Sequence, residues 1–116
     1  MPTHRTQLLV IGGGPGGYAA AFRAADLGMS VTIVNDDERL GGTCLIRGCI
    51  PSKALLHLAS LISEAREAER HGLKFGKPEI DLEKIRGFKD GVVRKLTGGL
   101  DGLARKRKVT HIVGRA

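Results

Sequence analysis

The chain has 116 residues, a net charge of +7 and 41% hydrophobic content, which suits one modest core and excludes a disordered chain. Its 17 glycines are about twice the usual share of roughly 7%, yet they are neither periodic nor joined by much proline, so collagen and low-complexity linkers are excluded too. No run approaches the roughly 18 consecutive apolar residues of a membrane span, and the late basic run Arg105, Lys106, Arg107 and Lys108 comes with no Trp, one Tyr and three Phe, so it reads as a solvated helix end rather than a nucleic-acid surface.

The leading MPTHRTQ passes straight into a strand-like run without a signal or transit peptide, and the expectation is intracellular. Residues 7–11, QLLVI, form a short apolar run ended by glycines, which suits a buried strand of a parallel sheet. GGGPGG follows at Gly12 to Gly17. The alanine-rich YAAAFRAADLG is then helical, with Gly28 as its stop signal. VTIV at 31–34 is a second strand, so the opening reads strand, turn, helix, strand.

After a polar NDDER comes LGGTCLIRGCIPSK. From Pro51 to about Arg70 the pattern is helical, with Leu55, Leu58, Ala59, Ile62 and Ala65 on one side. Gly72 to Pro78 break it. Asp81 is the N-cap candidate of a further helix whose stripe is Ile85, Phe88, Val92, Leu96 and Leu103. Gly91, Gly98, Gly99 and Gly102 weaken that helix, and a bend or interruption is expected there. VTHIV reads as a closing strand before Gly114, Arg115 and Ala116.

Gly12, Gly14 and Gly17 fit G-x-G-x-x-G in its required setting, after a strand and opening a helix. Gly12 permits the tight turn, Gly14 lets a pyrophosphate approach the backbone, and Gly17 lets the helix pack close to the strand. Pro15, inside the same turn, is a further candidate contact for the cofactor. The free N–H groups of the helix start would face the phosphates. The carboxylate usual at the end of the second strand is missing: counting 23 from Gly12 reaches Asn35, and Asp36 is next. Either Asn35 or Asp36 is the candidate for the ribose hydroxyls.

Cys44 and Cys49 are the only cysteines. Two thiols without a nearby histidine make a poor metal site, and a structural disulfide does not suit the cytosol, which leaves a redox-active pair. Residues i and i+5 of a regular helix have Cα atoms roughly 8–9 Å apart, beyond the limit of about 7 Å for a disulfide. The pair therefore belongs on an irregular turn, with Gly48 supplying flexibility and Pro51 in the first turn of the next helix. A helix start also lowers a thiol pKa. Lys53, four residues beyond Cys49, shares that face and is either a partner for a thiolate or electron-rich cofactor, or an exposed lysine. His57 reads as ordinary surface.

VIGGGPGGYAAAFRAADLG followed by LGGTCLIRGCIPSKALLH resembles the N-terminal part of the dihydrolipoamide dehydrogenases, within the flavin-dependent pyridine nucleotide-disulfide oxidoreductase family. Glutathione and mercuric reductases share the C-x4-C pattern, while the Ile-Pro-Ser-Lys-Ala-Leu-Leu run is most similar to the lipoamide branch. The resemblance implies an α/β, Rossmann-type FAD-binding domain, three-layered around a parallel sheet, of which residues 1–116 are an incomplete N-terminal portion. Gly12, Gly14 and Gly17 would hold the FAD pyrophosphate, Gly42 and Thr43 would contact the cofactor beside the redox pair, Lys53 would reach the flavin ring, and Ala116 would lie against FAD. Cys44 would be the interchange thiol and Cys49 the thiol beside the flavin.

NAD would be the electron acceptor of the whole enzyme, expected to be a homodimer. Its partner would be the lipoyl domain of a 2-oxoacid dehydrogenase or glycine-cleavage complex, in the cytoplasm or, in a eukaryote, the mitochondrial matrix. Neither nucleic acid nor membrane is an expected partner. The family's second nucleotide-binding domain and the interface domain with its His–Glu pair have no counterpart here: His4, His57, His71 and His111 stand in other contexts. The expectation is a portion inactive by itself. The competing readings are a glutathione or mercuric reductase-like member, a nucleotide-binding module without redox activity, and a basic nucleic-acid binder.

Overall fold

The computed structural model describes residues 3–116. Three short strands, β1 (Leu8–Ile11), β2 (Val31–Asn35) and β3 (Thr110–Val113), form a parallel sheet in that order. Leu8 pairs with Val31 and Val10 with Ile33, while Ile33 pairs with His111. Parallel neighbours need crossover connections, and helices supply both of them here.

The first crossover is α1 (Pro15–Asp26). It starts with a proline at a position where the missing N–H costs nothing and ends before Gly28, whose φ of +88° reverses the chain. It begins three residues earlier than the alanine-rich run because Gly14 serves as N-cap. Ala21, Phe22 and Ala24 of α1 pack with Val31, Ile33 and Leu40, and Leu8 and Val10 border them. Side chains alternate across a strand, so Leu9 and Ile11 point to the other face, where they are 52% and 69% exposed. The described residues thus supply a sheet and one helical layer.

The second crossover is long. It comprises α2 (Gly42–Ile46), α3 (Cys49–Ala68), a 3-10 turn at Glu69–His71, and α4 (Leu82–Lys106). The molecule measures 66 × 28 × 19 Å because α3 and α4, of 20 and 25 residues, pack on each other. At the sheet end, α4 contributes Ala104 and Leu100 to the core. Arg107 closes that end: it pairs with Asp26 at 2.9 Å and lies 5.3 Å from the Phe22 ring centre. One member of the basic run is therefore a tie between α4 and α1.

Two expectations need correction. First, α4 is one continuous helix. Asp81 accepts a hydrogen bond from the Lys84 amide at 3.1 Å, as an N-cap should. The helix glycines face open space, so their entropic cost is not compounded by a packing defect. Second, its packed face is Val93, Thr97, Leu100 and Ala104, about one residue round from the expected stripe, and Phe88, Leu96 and Leu103 are 43%, 41% and 42% exposed. On α3, likewise, Ala54 is buried while Leu55 is 43% exposed.

The stretch Gly42–His71 has the length and mean composition of a membrane-crossing helix, with a mean hydropathy of 1.3 over its best window, but it is divided between α2 and α3 at Arg47 and Gly48 and holds no wholly apolar run of that length. Single polar residues such as Lys53 interrupt the consecutive run but are averaged away over a window.

Candidate functional site

The ends of β1, β2 and β3 open onto a crevice of about 150 Å³ that brings together Gly12, Asn35, Asp36 and Ala116. A crevice at the carboxyl ends of parallel strands is where such sheets bind ligands. A larger groove of about 720 Å³ lies between the end of α3 and Phe75 to Pro78, but it holds neither the glycine turn nor a cysteine.

The turn between β1 and α1 is shaped by contacts that exclude side chains. A Cβ on Gly17 would collide with the Gly12 carbonyl oxygen and stand 3.4 Å from a Val10 methyl. This is the close helix–strand approach anticipated for Gly17. Gly42 has φ +69°, and a Cβ there would come within 2.5 Å of the Gly14 Cα. The start of α2 is thus pressed against the glycine turn, two residues before Cys44. The Gly41 amide seals this contact by donating to the Gly13 carbonyl at 2.8 Å. Gly14 and Pro15 at the start of α1 thus meet Gly42 at the start of α2.

Asn35 is buried at the end of β2. Its Oδ1 accepts the Gly13 amide at 3.0 Å, and its Nδ2 donates to the carbonyls of Asp37 and Arg39 at 3.0 and 3.2 Å. Asp36 is exposed and lines the crevice.

Cys44 and Cys49 form a disulfide with Cα atoms 4.7 Å apart. The geometry follows from the break at Arg47 and Gly48 between α2 and α3, which brings the cysteines closer than any regular helix would. Cys49 is the first residue of α3 and is exposed, while Cys44 is half-buried. No acidic residue occupies the first turn of α3, so the positive helix end acts on Cys49 unopposed. Lys53 is exposed one turn further along.

Arg47, inside the cysteine loop, pairs with Asp37 at 2.6 Å. Burial pushes the Asp37 carboxyl up, but hydrogen bonds from Arg47 and the Arg39 amide, with the charges of both arginines, outweigh it and hold the group below its ordinary value. Sequence reasoning missed Gly13, Asp37, Leu40 and Arg47 as parts of this arrangement. Leu40 is fully buried and would stand 3.0 Å from a Cβ on Gly13.

The described arrangement joins two features. Its turn brings backbone close to the start of α2, and the irregular junction between α2 and α3 carries a disulfide beside it.

Comparison with known proteins agrees. The family described as pyridine nucleotide-disulphide oxidoreductase matches residues 6–116. Dihydrolipoyl dehydrogenase of Haemophilus influenzae is 54% identical over 97% of this chain and 23% of its own length. The mitochondrial dihydrolipoyl dehydrogenase of Pisum sativum is 50% identical over 92% of the chain and 22% of its own length. Leghemoglobin reductase of Glycine max is 52% identical over 92% and 21%. The chain thus spans under a quarter of the length of these relatives.

Proposed function

The chain belongs to the pyridine nucleotide-disulphide oxidoreductase family, and from that premise we propose that it is the FAD-binding, disulfide-bearing segment of an NAD-dependent dihydrolipoyl dehydrogenase. The observation that carries this reading is the Cys44–Cys49 disulfide at the start of a helix, next to a glycine turn that meets Gly42 backbone to backbone. The high identity to dihydrolipoyl dehydrogenases supports lipoamide over glutathione or mercuric chemistry.

The residues fit a dinucleotide. Gly12, Gly14, Pro15 and Gly17 lie in a tight turn where a Cβ on Gly17 would strike backbone; the Gly12 amide is taken by the Val34 carbonyl, and the amides at the start of α1 suit a pyrophosphate. Asn35, Asp36 and Ala116 border the crevice where an adenosine would lie, and Gly42 and Thr43 stand between it and Cys44. Lys53 is the cation available to the far end of the cofactor. FAD, when bound, supplies the two-electron relay between the dithiol and NAD.

The protein's own chemistry is thiol exchange. A dihydrolipoamide thiolate attacks Cys44 Sγ, the Cys44–Cys49 bond breaks, and Cys49 leaves as a thiolate held by the helix end. The second substrate thiolate then attacks the substrate sulfur of the mixed disulfide and expels Cys44. Lipoamide is released oxidised, and the cysteine pair is reduced by two electrons. The exposure of the isolated segment favours Cys49 as the more accessible residue, so the assignment of Cys44 rests on the family resemblance and on cofactor placed over Cys49.

The natural partner is a lipoyl domain of a 2-oxoacid dehydrogenase or glycine-cleavage complex, with the complete enzyme a homodimer. Its place is the cytoplasm in a bacterium and the mitochondrial matrix in a eukaryote, as the name of the Pisum sativum relative suggests. The test is NADH formation from dihydrolipoamide by the complete protein carrying this segment. Turnover restricted to glutathione disulfide with NADPH would overturn the proposal.

A further inference from the structure

We infer that ribose recognition has moved by one residue in this protein: Asn35 is a positioning residue that holds the glycine turn, and Asp36 is the residue that reads the ribose hydroxyls. The inference rests on the nucleotide reading above and deepens it.

The usual motif places a carboxylate at residue 35, where it accepts hydrogen bonds from the ribose. An asparagine could substitute only if its amide were free. It is not. Both Nδ2 hydrogens are spent on the carbonyls of Asp37 and Arg39, and Oδ1 holds the Gly13 amide. A primary amide has two donors and one acceptor oxygen, so nothing remains to donate to a ligand, and the single buried Oδ1, already holding the Gly13 amide, cannot offer the two acceptor oxygens with which a carboxylate grips a vicinal diol. The same bonds explain why residue 13 is glycine: a Cβ there would stand 2.9 Å from the Asn35 amide carbon. Asn35 therefore staples the turn after β1 to the loop after β2, across 22 residues of sequence.

A carboxylate must then come from the following loop, which offers three. Asp37 is engaged by Arg47 and by the Arg39 amide. Glu38 lines a different cavity, with Leu40, Ala104 and His111. Asp36 alone lines the crevice with Gly12 and Ala116, and it has no hydrogen bond or ion pair among the described residues. An exposed, uncommitted carboxylate at the mouth of the crevice suits a vicinal diol, since each oxygen can accept one hydroxyl.

The test measures calorimetric binding of ADP and of 2′,3′-dideoxy-ADP to the 116-residue chain, together with unfolding temperature without nucleotide. In Asp36→Asn, the preference for ADP over the dideoxy form should fall about ten-fold, the weight of a hydrogen-bonded charge, with the unfolding temperature unchanged. Asn35→Ala should lower the nucleotide-free unfolding temperature by about 5–10 °C and weaken both ligands equally. Asn35→Asp keeps the acceptor but sets a carboxylate against two carbonyls, so it should also destabilise and should not increase the preference for ADP.

A preference left intact in Asp36→Asn, or raised in Asn35→Asp, overturns the diol assignment. An Asn35→Ala chain as stable as the parent overturns the staple. Failure of the unmodified chain to bind either nucleotide overturns the nucleotide reading and the diol assignment with it, and is recognised because no variant is needed to see it.

Discussion

Gly16 and Gly17 are neighbours in the first turn of α1, and the structure assigns opposite signs to the same substitution at the two. At Gly16 an added Cβ meets nothing within 4 Å. Gly16→Ala therefore gains helix propensity and loses nothing, a stabilisation of about 0.4–1 kcal/mol. At Gly17 the Cβ collides with the Gly12 carbonyl oxygen, a backbone atom in the turn itself.

Relief at Gly17 requires α1 or the turn to move by ~1 Å, since no side chain can swing away. Overpacking of this kind costs about 1–3 kcal/mol, and the propensity gain of about 1 kcal/mol offsets part of it. The net is a loss of about 1–2 kcal/mol if the collision lies at the upper end of that range, as a backbone contact should. With unfolding entropies of about 2.1 cal/mol/K per residue, each kcal/mol shifts the midpoint of a chain this size by roughly 4 °C. Thermal unfolding followed by circular dichroism should place Gly16→Ala a few degrees above the parent and Gly17→Ala several degrees below. Equal shifts of the same sign would refute the claim that Gly17 is fixed by helix–strand contact.

Three further outcomes follow from other parts of the molecule. Asp37→Asn should remove an acid-dependent component of stability of about 1 kcal/mol, modest because Arg47 is largely solvated. The Asp37 carboxyl is held low in the folded chain, so its contribution is present above the unfolded value of about 3.9 and is lost as pH falls through the folded value. Denaturation curves below about pH 4 should show a shallower loss in the variant. Gly98→Ala in the open face of α4 should stabilise by about 0.5–1 kcal/mol in urea titrations, because nothing lies within 4 Å of the new methyl. Reducing the Cys44–Cys49 bond, whose loop separation is 5 residues, should cost about 2 kcal/mol in the chain-entropy account, measurable as a lower unfolding temperature in the presence of a phosphine.

The parts of the site legible in the sequence were those in which residue type alone carries a backbone requirement. Gly12, Gly17 and Gly28 announce a turn, a close approach and a helix end, and the spacing of Cys44 and Cys49 excludes a regular helix between them. Asn35 was visible as a departure, but its role depends on Gly13, which is 22 residues away and carries no side chain to suggest a partner. The α4 stripe shows a different limit. Its periodicity was readable, but two adjacent apolar stripes compete for the core, and only packing against α2, α3 and the sheet selects Val93, Thr97 and Ala104 over Phe88, Leu96 and Leu103. The glycines of α4 suggested a break because propensity counts entropy alone. The Asp81 cap and the contacts along one face outweigh it.

The proposed path takes electrons in through Cys44 and by the cysteine pair to a flavin over Cys49, with the pyrophosphate of the cofactor at the glycine turn. Its most direct measurement is the flavin absorbance of the complete protein carrying this segment, loaded with FAD and titrated without oxygen by dihydrolipoamide. The predicted result is a stoichiometric change in the flavin spectrum that is lost in Cys44→Ser while flavin content is kept. A spectrum that ignores dihydrolipoamide, or one that responds equally in Cys44→Ser, would contradict the account.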